Sequence, residues 1–185
     1  MPVTTLDANS ALIVIDLQKG IVALPTQPPV ADIIPPAVAL IRAFRAAALP
    51  VVLVNVDGGA PGRSEQPRAG AAFPPGWSDL IPELDRQPSD HAVTKRTWGA
   101  FTGTSLEQWL RERGVTQVVV CGVATSIGVE STARQAQEAG FNVTLATDAM
   151  TDMNPDAHLN SLTRIFPRLG ETGAAADIIA LVAKA

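Results

Sequence analysis

The sequence predicts a three-layer α/β/α sandwich, Rossmann-like, on a mainly parallel sheet of about six strands, and three observations predict it. Short apolar runs end in polar or glycine residues: Ala11-Leu12-Ile13-Val14-Ile15 before Asp16, Val51-Val52-Leu53-Val54 before Asn55, and Val118-Val119-Val120-Cys121 before Gly122. Each run is continuous rather than alternating, which marks a strand covered on both faces. Between the runs, apolar residues recur at helical spacing, giving the βαβ rhythm of a parallel sheet.

Taken in chain order, the strand at 11–15 is followed by a helix from Asp32 to Ala48. Ile33, Ala37, Leu40, Ile41 and Phe44 form its apolar stripe, and Pro35 and Pro36 fall near its start, where proline is tolerated. After the strand at 51–54, residues 57–90 are rich in Gly, Pro and Ser and show no periodicity. They read as a long surface connection with one helical turn near Trp77. His91-Ala92-Val93-Thr94 before Lys95 is a short strand, and Ser105 to Arg113 a helix closed by Gly114. The strand at 118–121 leads through a turn of small residues into a helix from Ile127 to Ala139, closed by Gly140. Asn142 to Ala146, before Asp148, is the next strand; Pro155 to Phe166 is a helix with Asn154 as its N-cap. Glu171-Thr172-Gly173 is a weak sixth strand, and Ala174 to Ala183 the last helix.

Composition narrows the function classes. A length of 185 residues with 46% hydrophobic content suits one domain with a sizeable core. Fourteen Lys and Arg against 18 Asp and Glu give a formal charge of −4, so no positive field exists for a nucleic acid or an anionic membrane. One cysteine excludes a disulfide framework and a Cys-based zinc finger. The first residues lack a signal-peptide pattern and no apolar run reaches membrane-spanning length, so a cytoplasmic protein acting on a small molecule is expected.

In an open α/β sheet, ligands bind beyond the carboxyl ends of the strands, which directs attention to Asp16, Asp57, Lys95, the turn from Gly122 to Gly128, and Asp148. Alone, Asp16 reads equally as a turn or capping aspartate, and Lys95 as a solvated charge. The turn between the strand at 118–121 and its helix presents free backbone N–H groups, a setting for an anion or a developing oxyanion.

Together these segments resemble the isochorismatase-like hydrolase superfamily, also called the cysteine hydrolases, which includes nicotinamidases and carbamoylsarcosine amidohydrolases. The resemblance rests on Ala-Leu-Ile-Val-Ile-Asp-Leu-Gln at 11–18, and on Lys95 followed by Ala100-Phe101 and Thr104-Ser105-Leu106. It rests further on Gly122-Val123-Ala124-Thr125 with Val129-Glu130-Ser131-Thr132-Ala133, and on Asp148-Ala149-Met150. It runs along nearly the whole chain and implies a single domain of this kind over 1–185, a homo-oligomer (dimer or tetramer), and a non-proline cis peptide at Val123–Ala124.

The family's active site pairs an aspartate and a lysine with a nucleophilic cysteine. The first two match Asp16 and Lys95, but the cysteine position is held by Gly128, where no acyl-enzyme can form. True isochorismatases of the superfamily also carry glycine there, preceded by Ile or Val as Ile127 precedes Gly128, and hydrolyse a vinyl ether with an acid instead of a nucleophile. The resemblance thus implies Asp16 as general acid, Lys95 holding a substrate carboxylate and stabilising charge, and Gly128 making room. Burial should raise the pKa of Asp16 while Lys95 lowers it. Ala124, Thr125, Trp98 and Phe101 are the substrate-binding candidates; Trp77 fits ordinary packing at least as well.

Ala124-Thr125-Ser126 stands where isochorismatases have Tyr-Ala-His, so a different enol ether or an unrelated small molecule stays open as substrate. Two rivals remain beside vinyl-ether hydrolysis: amide or ester hydrolysis by a water activated at Asp16, and a binding protein that has lost its cysteine. No cofactor and no metal are expected. Metal-binding relatives use Asp-x-His after the second strand and a further histidine, whereas Asp57 precedes Gly58-Gly59 and the histidines are His91 and His158. His158 reads as a structural hydrogen-bonding residue, Cys121 as a core thiol, and Arg63 and Arg68 as solvated loop charges.

Overall fold

The computed structural model describes residues 3–65 and 73–183, so the expectation for Arg68 lies outside the described residues. Six parallel strands form one sheet in the order β3-β2-β1-β4-β5-β6: β1 Ser10–Ile15, β2 Val51–Val56, β3 His91–Lys95, β4 Gln117–Val123, β5 Asn142–Thr151 and β6 Glu171–Gly173. The chain winds outward from β1 to β3, then returns beside β1 and winds the other way. The direction of winding therefore switches between β1 and β4, where a crevice opens above the strand ends.

The continuous apolar runs are explained by what covers each face. Leu12 and Val14 of β1 point into a core shared with α2 (Val30–Ala46) and α7 (Ala175–Val182), while Ile13 and Ile15 point into one shared with α3 (Leu106–Glu112) and α4 (Glu130–Glu138). Every residue of β1 and β4 is buried, as a central parallel strand requires. Arg45 of α2 and Asp90, at the foot of β3, make an ion pair that ties this helix to the edge of the sheet.

Several boundaries differ from the sequence reading. The second helix starts at Val30, so Pro35 and Pro36 lie in its second turn rather than its first; five buried apolar side chains packed on the sheet outweigh the lost backbone bonds. The four-residue α1 (Lys19–Val22) has no buried residue and so left no apolar stripe to read. The segment before α4 is a π-helical turn, Thr125–Val129, and a second such turn, Ser161–Ile165, links α5 (Pro155–Asn160) to α6 (Phe166–Leu169). β5 runs to Thr151, five residues beyond the expected end, because its pairing with β4 slips between Val120 and Gly122 and resumes with Gly122 opposite Met150. The long connection holds turns at 75–78 around Trp77 and a single helical turn at Pro82–Leu84. Among the described residues no helix is long and apolar enough to cross a membrane.

Candidate active site

Asp16 follows the last residue of β1, and its N–H still donates to Val54 O of β2 at 2.9 Å. Its backbone then turns into the left-handed region, φ 52°, which short polar residues such as Asp and Asn tolerate best. This turn takes the carboxylate off the strand path and into the crevice. Lys95 ends β3, two strands away across β2, and its Nζ donates to Asp16 Oδ2 at 2.7 Å and to Thr97 O at 3.2 Å. Asp16 and Lys95 are 5% and 2% exposed, so the pair is largely withdrawn from bulk water. Asp16 Oδ1 is buried without a hydrogen-bond partner among the described residues.

Burial pushes the Asp16 carboxyl up to about 6, and the Lys95 charge and hydrogen bond pull in the opposite direction without cancelling it. The result is an acid able to hold its proton just below neutrality, where a free aspartate would have lost it.

The third side of the site comes from β4 and the turn after it. Gly122 has φ 117°, and a Cβ there would stand 2.0 Å from Ile15 O, so only glycine lets β4 lie this close to the end of β1. The Val123–Ala124 peptide that follows is cis, as the family resemblance implies. The π-helical turn then brings Gly128 against Asp16: a Cβ built on Gly128 would be 3.4 Å from Asp16 Oδ2 and 2.9 Å from Ile15 Cγ2. A side chain at 128 would therefore point straight at the carboxylate, and glycine leaves that approach open.

These groups line a cavity of about 170 Å³ whose walls also include Ile21, Val56, Gly58, Gly59, Thr97, Trp98, Val123, Ala124, Ile127 and Met153. Of the residues expected from sequence, Asp16, Lys95, Gly128, Ala124 and Trp98 meet there. Trp98 is 61% exposed and stands at the rim. Thr125 and Phe101 do not line the cavity. Thr125 is fully buried and its Oγ1 bonds His158 Nδ1 at 2.8 Å, which gives His158 its structural role. The Phe101 ring turns to Phe141, centroids 6.0 Å apart, and packs on the core under α3 and α4. Asp148 Oδ1 accepts from Ala175 N at the start of α7, and Trp77 stacks on Phe73.

Residues that the sequence reading passed over hold the walls in place. Gln18, fully buried, donates to Val56 O and Trp77 O and accepts from Val56 N, so one amide fixes the end of β2 and the loop beside it. Asp152, also buried, accepts from Ser126 N and Oγ and anchors the turn from its far side. Ile21 lies in the four-residue α1 and Met153 in a bend after β5, both too short for a periodicity to announce them. Cys121 lies in β4, 0% exposed, and burial pushes its thiol up to about 12. No cluster of three or more potential metal ligands occurs among the described residues.

Residues 10–177 match the isochorismatase domain family. The chain is similar to the uncharacterized isochorismatase family protein YwoC of Bacillus subtilis, 40% identical over 171 residues covering 89% of each chain. Among solved structures it is similar to an isochorismatase family protein from Burkholderia thailandensis, 43% identical with a TM-score of 0.93, covering 97% of this chain and 98% of that one. It is also similar to a cysteine hydrolase from Pseudomonas syringae pv. phaseolicola, 27% identical with a TM-score of 0.82, covering 96% of this chain and 93% of that one.

Proposed function

The chain belongs to the isochorismatase family, and from that premise we propose that it is a hydrolase that cleaves the vinyl ether of a small carboxylated molecule by acid catalysis, without a covalent intermediate. The observation that carries this reading is a buried carboxyl of raised pKa with Gly128 against it, at the position where the family resemblance expects the nucleophile. Asp16 has what an acid needs, and among the described residues no cysteine, serine or histidine side chain lines the cavity to act as a nucleophile.

On this reading Asp16 gives its proton to the methylene carbon of an enolpyruvyl ether, CH2=C(COO−)–OR. The C=C electron pair forms the new C–H bond, and the charge left behind is shared by the ether oxygen as an oxocarbenium ion. Water adds to that carbon and loses a proton, which returns to Asp16. The hemiketal then expels ROH to leave pyruvate. Lys95 stabilises the carboxylate that Asp16 becomes at the moment of proton transfer, and the open side of Gly128 leaves room for substrate and water beside that carboxyl. The expected dimer or tetramer belongs to the same reading, favoured by the exposed apolar Trp98 and Met153 at the rim.

A second reading has Asp16 as base for a water attacking an amide or ester. It is favoured by Ala124-Thr125, the form found in the cysteine branch, and by the likeness to a cysteine hydrolase. It ranks lower because it gives up the covalent route without using the proton that burial holds on Asp16.

A panel of enolpyruvyl ethers, amides and esters decides between them. Turnover of an enolpyruvyl ether to equal amounts of pyruvate and alcohol, with one deuterium entering the pyruvate methyl group in D2O, is the expected result. Turnover confined to amides or esters overturns the acid reading, and no turnover of any class favours a binding protein.

A further inference from the structure

A carboxylated substrate needs a positive charge that the cavity lining does not have to spare. Lys95 is the one cation in that lining among the described residues, and two of its three donors are taken by Asp16 Oδ2 and Thr97 O. With Asp16 ionised the lining is neutral; with Asp16 protonated it carries only the Lys95 charge, which the carboxylate left by proton transfer then needs. The chain as a whole carries −4. A substrate carboxylate relying on Lys95 alone would compete with Asp16 for one ammonium group.

The next residue along the chain supplies the charge. The aliphatic stem of Arg96 lies on Gly58, a residue of the cavity wall: a Cβ at Gly58 would stand 3.3 Å from Arg96 Cγ and 3.6 Å from Cδ. Gly58 has φ 133°, a conformation other residues rarely adopt, so the wall has no side chain just where the arginine stem crosses it. Arg96 is exposed, and no ion pair or hydrogen bond holds its guanidinium among the described residues. By contrast Arg45, Arg111 and Arg134 are each bonded to a carboxylate. Arg96 is not itself a lining residue, but with its stem crossing the Gly58 wall and its guanidinium exposed and uncommitted, it is within reach of an anion entering this largely apolar cavity.

We infer that Arg96 is the carboxylate anchor of this site and sets its preference for anionic over neutral substrates, while Lys95 stays with Asp16. The guanidinium fork meets a carboxylate through two parallel N–H···O bonds, which also orients the rest of the molecule toward Asp16. The inference rests on the reading of the cavity as a site for a carboxylated substrate.

Calorimetric binding of pyruvate and of its neutral counterpart, methyl pyruvate, tests it on the wild type, Arg96→Gln, Arg96→Lys and Asp16→Asn. The wild type should prefer pyruvate. Arg96→Gln should weaken pyruvate binding by about ten- to hundred-fold and leave methyl pyruvate within about two-fold. Arg96→Lys should recover part of the loss, and raising the salt from about 50 to 500 mM should erode the preference of the wild type. A wild type without preference for the anion, or an Arg96→Gln protein that keeps it, overturns the assignment. Asp16→Asn should keep the preference even where turnover is lost, so a failure of the acid chemistry and a failure of the anchor give different results.

Discussion

Asp16 and Lys95 sit on strands that are not neighbours, yet their side chains meet at 2.7 Å with exposures of 7% and 2%. A pair so buried does not secure its members as simple charges, because the cost of desolvation competes with the attraction between them. In this site desolvation prevails for the carboxyl, whose pKa stands at about 6 despite the lysine. The pair is thus held near a proton balance that ligand binding can tip. A substrate carboxylate arriving nearby adds negative charge, favours the protonated acid, and couples binding to proton uptake.

Replacing Lys95 by Met removes the one influence that lowers the Asp16 pKa. The pKa should rise above 6, and the limb on which kcat/KM falls with increasing pH should move to higher pH. At the same time kcat should drop, since the carboxylate formed by proton transfer loses its counter-charge. A pH-rate profile of Lys95→Met whose limb stays in place or moves down contradicts the role given to the pair.

Stability should carry the same signature. The folded state binds the Asp16 proton more tightly than the unfolded state does, so between about pH 3.8 and 6 the unfolded chain holds fewer protons and stability falls as pH rises. Asn at 16 has no such titration and tolerates the left-handed backbone equally well. Urea unfolding should therefore find Asp16→Asn and wild type similar below about pH 4, with the variant gaining up to about 3 kcal/mol over wild type by about pH 7. A difference that does not change with pH would contradict the shifted carboxyl.

Much of this was legible in sequence, for reasons that also mark where it stops. Leu12 to Ile15 and Val118 to Cys121 are buried on both faces, so their apolar runs announce strands, and Asp16 and Gly122 announce where those strands end. Asp16 and Lys95 therefore stand out at strand ends, and the family resemblance adds Gly128. Orientation within the turn was not legible: Ala124 and Thr125 are adjacent and both buried, yet one faces the cavity and the other bonds His158. The π-helical turn that these residues enter has no compositional signature. Phe101 misled because closeness to Lys95 in sequence says nothing of direction, and beyond the strand the chain turns its ring to Phe141. Gly58 and Gly59 could have been found as cavity residues, since a glycine pair one residue past the end of β2 leaves the wall there without side chains.

The thiol of Cys121, buried in β4 with its pKa at about 12, should resist iodoacetamide in the folded protein, and activity should survive the treatment. Gly128→Cys is the contrasting variant. Its Cβ would meet Ile15 Cγ2 at 2.9 Å, so a loss of about 1–3 kcal/mol in stability is expected, with the new thiol pointing at Asp16 beside the Lys95 charge. That thiol should alkylate readily near neutral pH while Cys121 does not, as peptide mapping by mass spectrometry would show. Alkylation of Cys121 in the folded wild type with loss of turnover would contradict a thiol-independent site.

The account stands or falls on the proton of Asp16. Asp16→Asn keeps the shape and backbone of the residue but cannot donate that proton, so kcat on an enolpyruvyl ether turned over by the wild type should fall by on the order of a hundred-fold or more, with binding of pyruvate retained. The decisive measurement is kcat of Asp16→Asn against wild type at about pH 6, where the carboxyl of the free enzyme is half protonated. A large loss of kcat with ligand binding intact is the predicted result; a variant that turns over at the wild-type rate would show that another group supplies the proton.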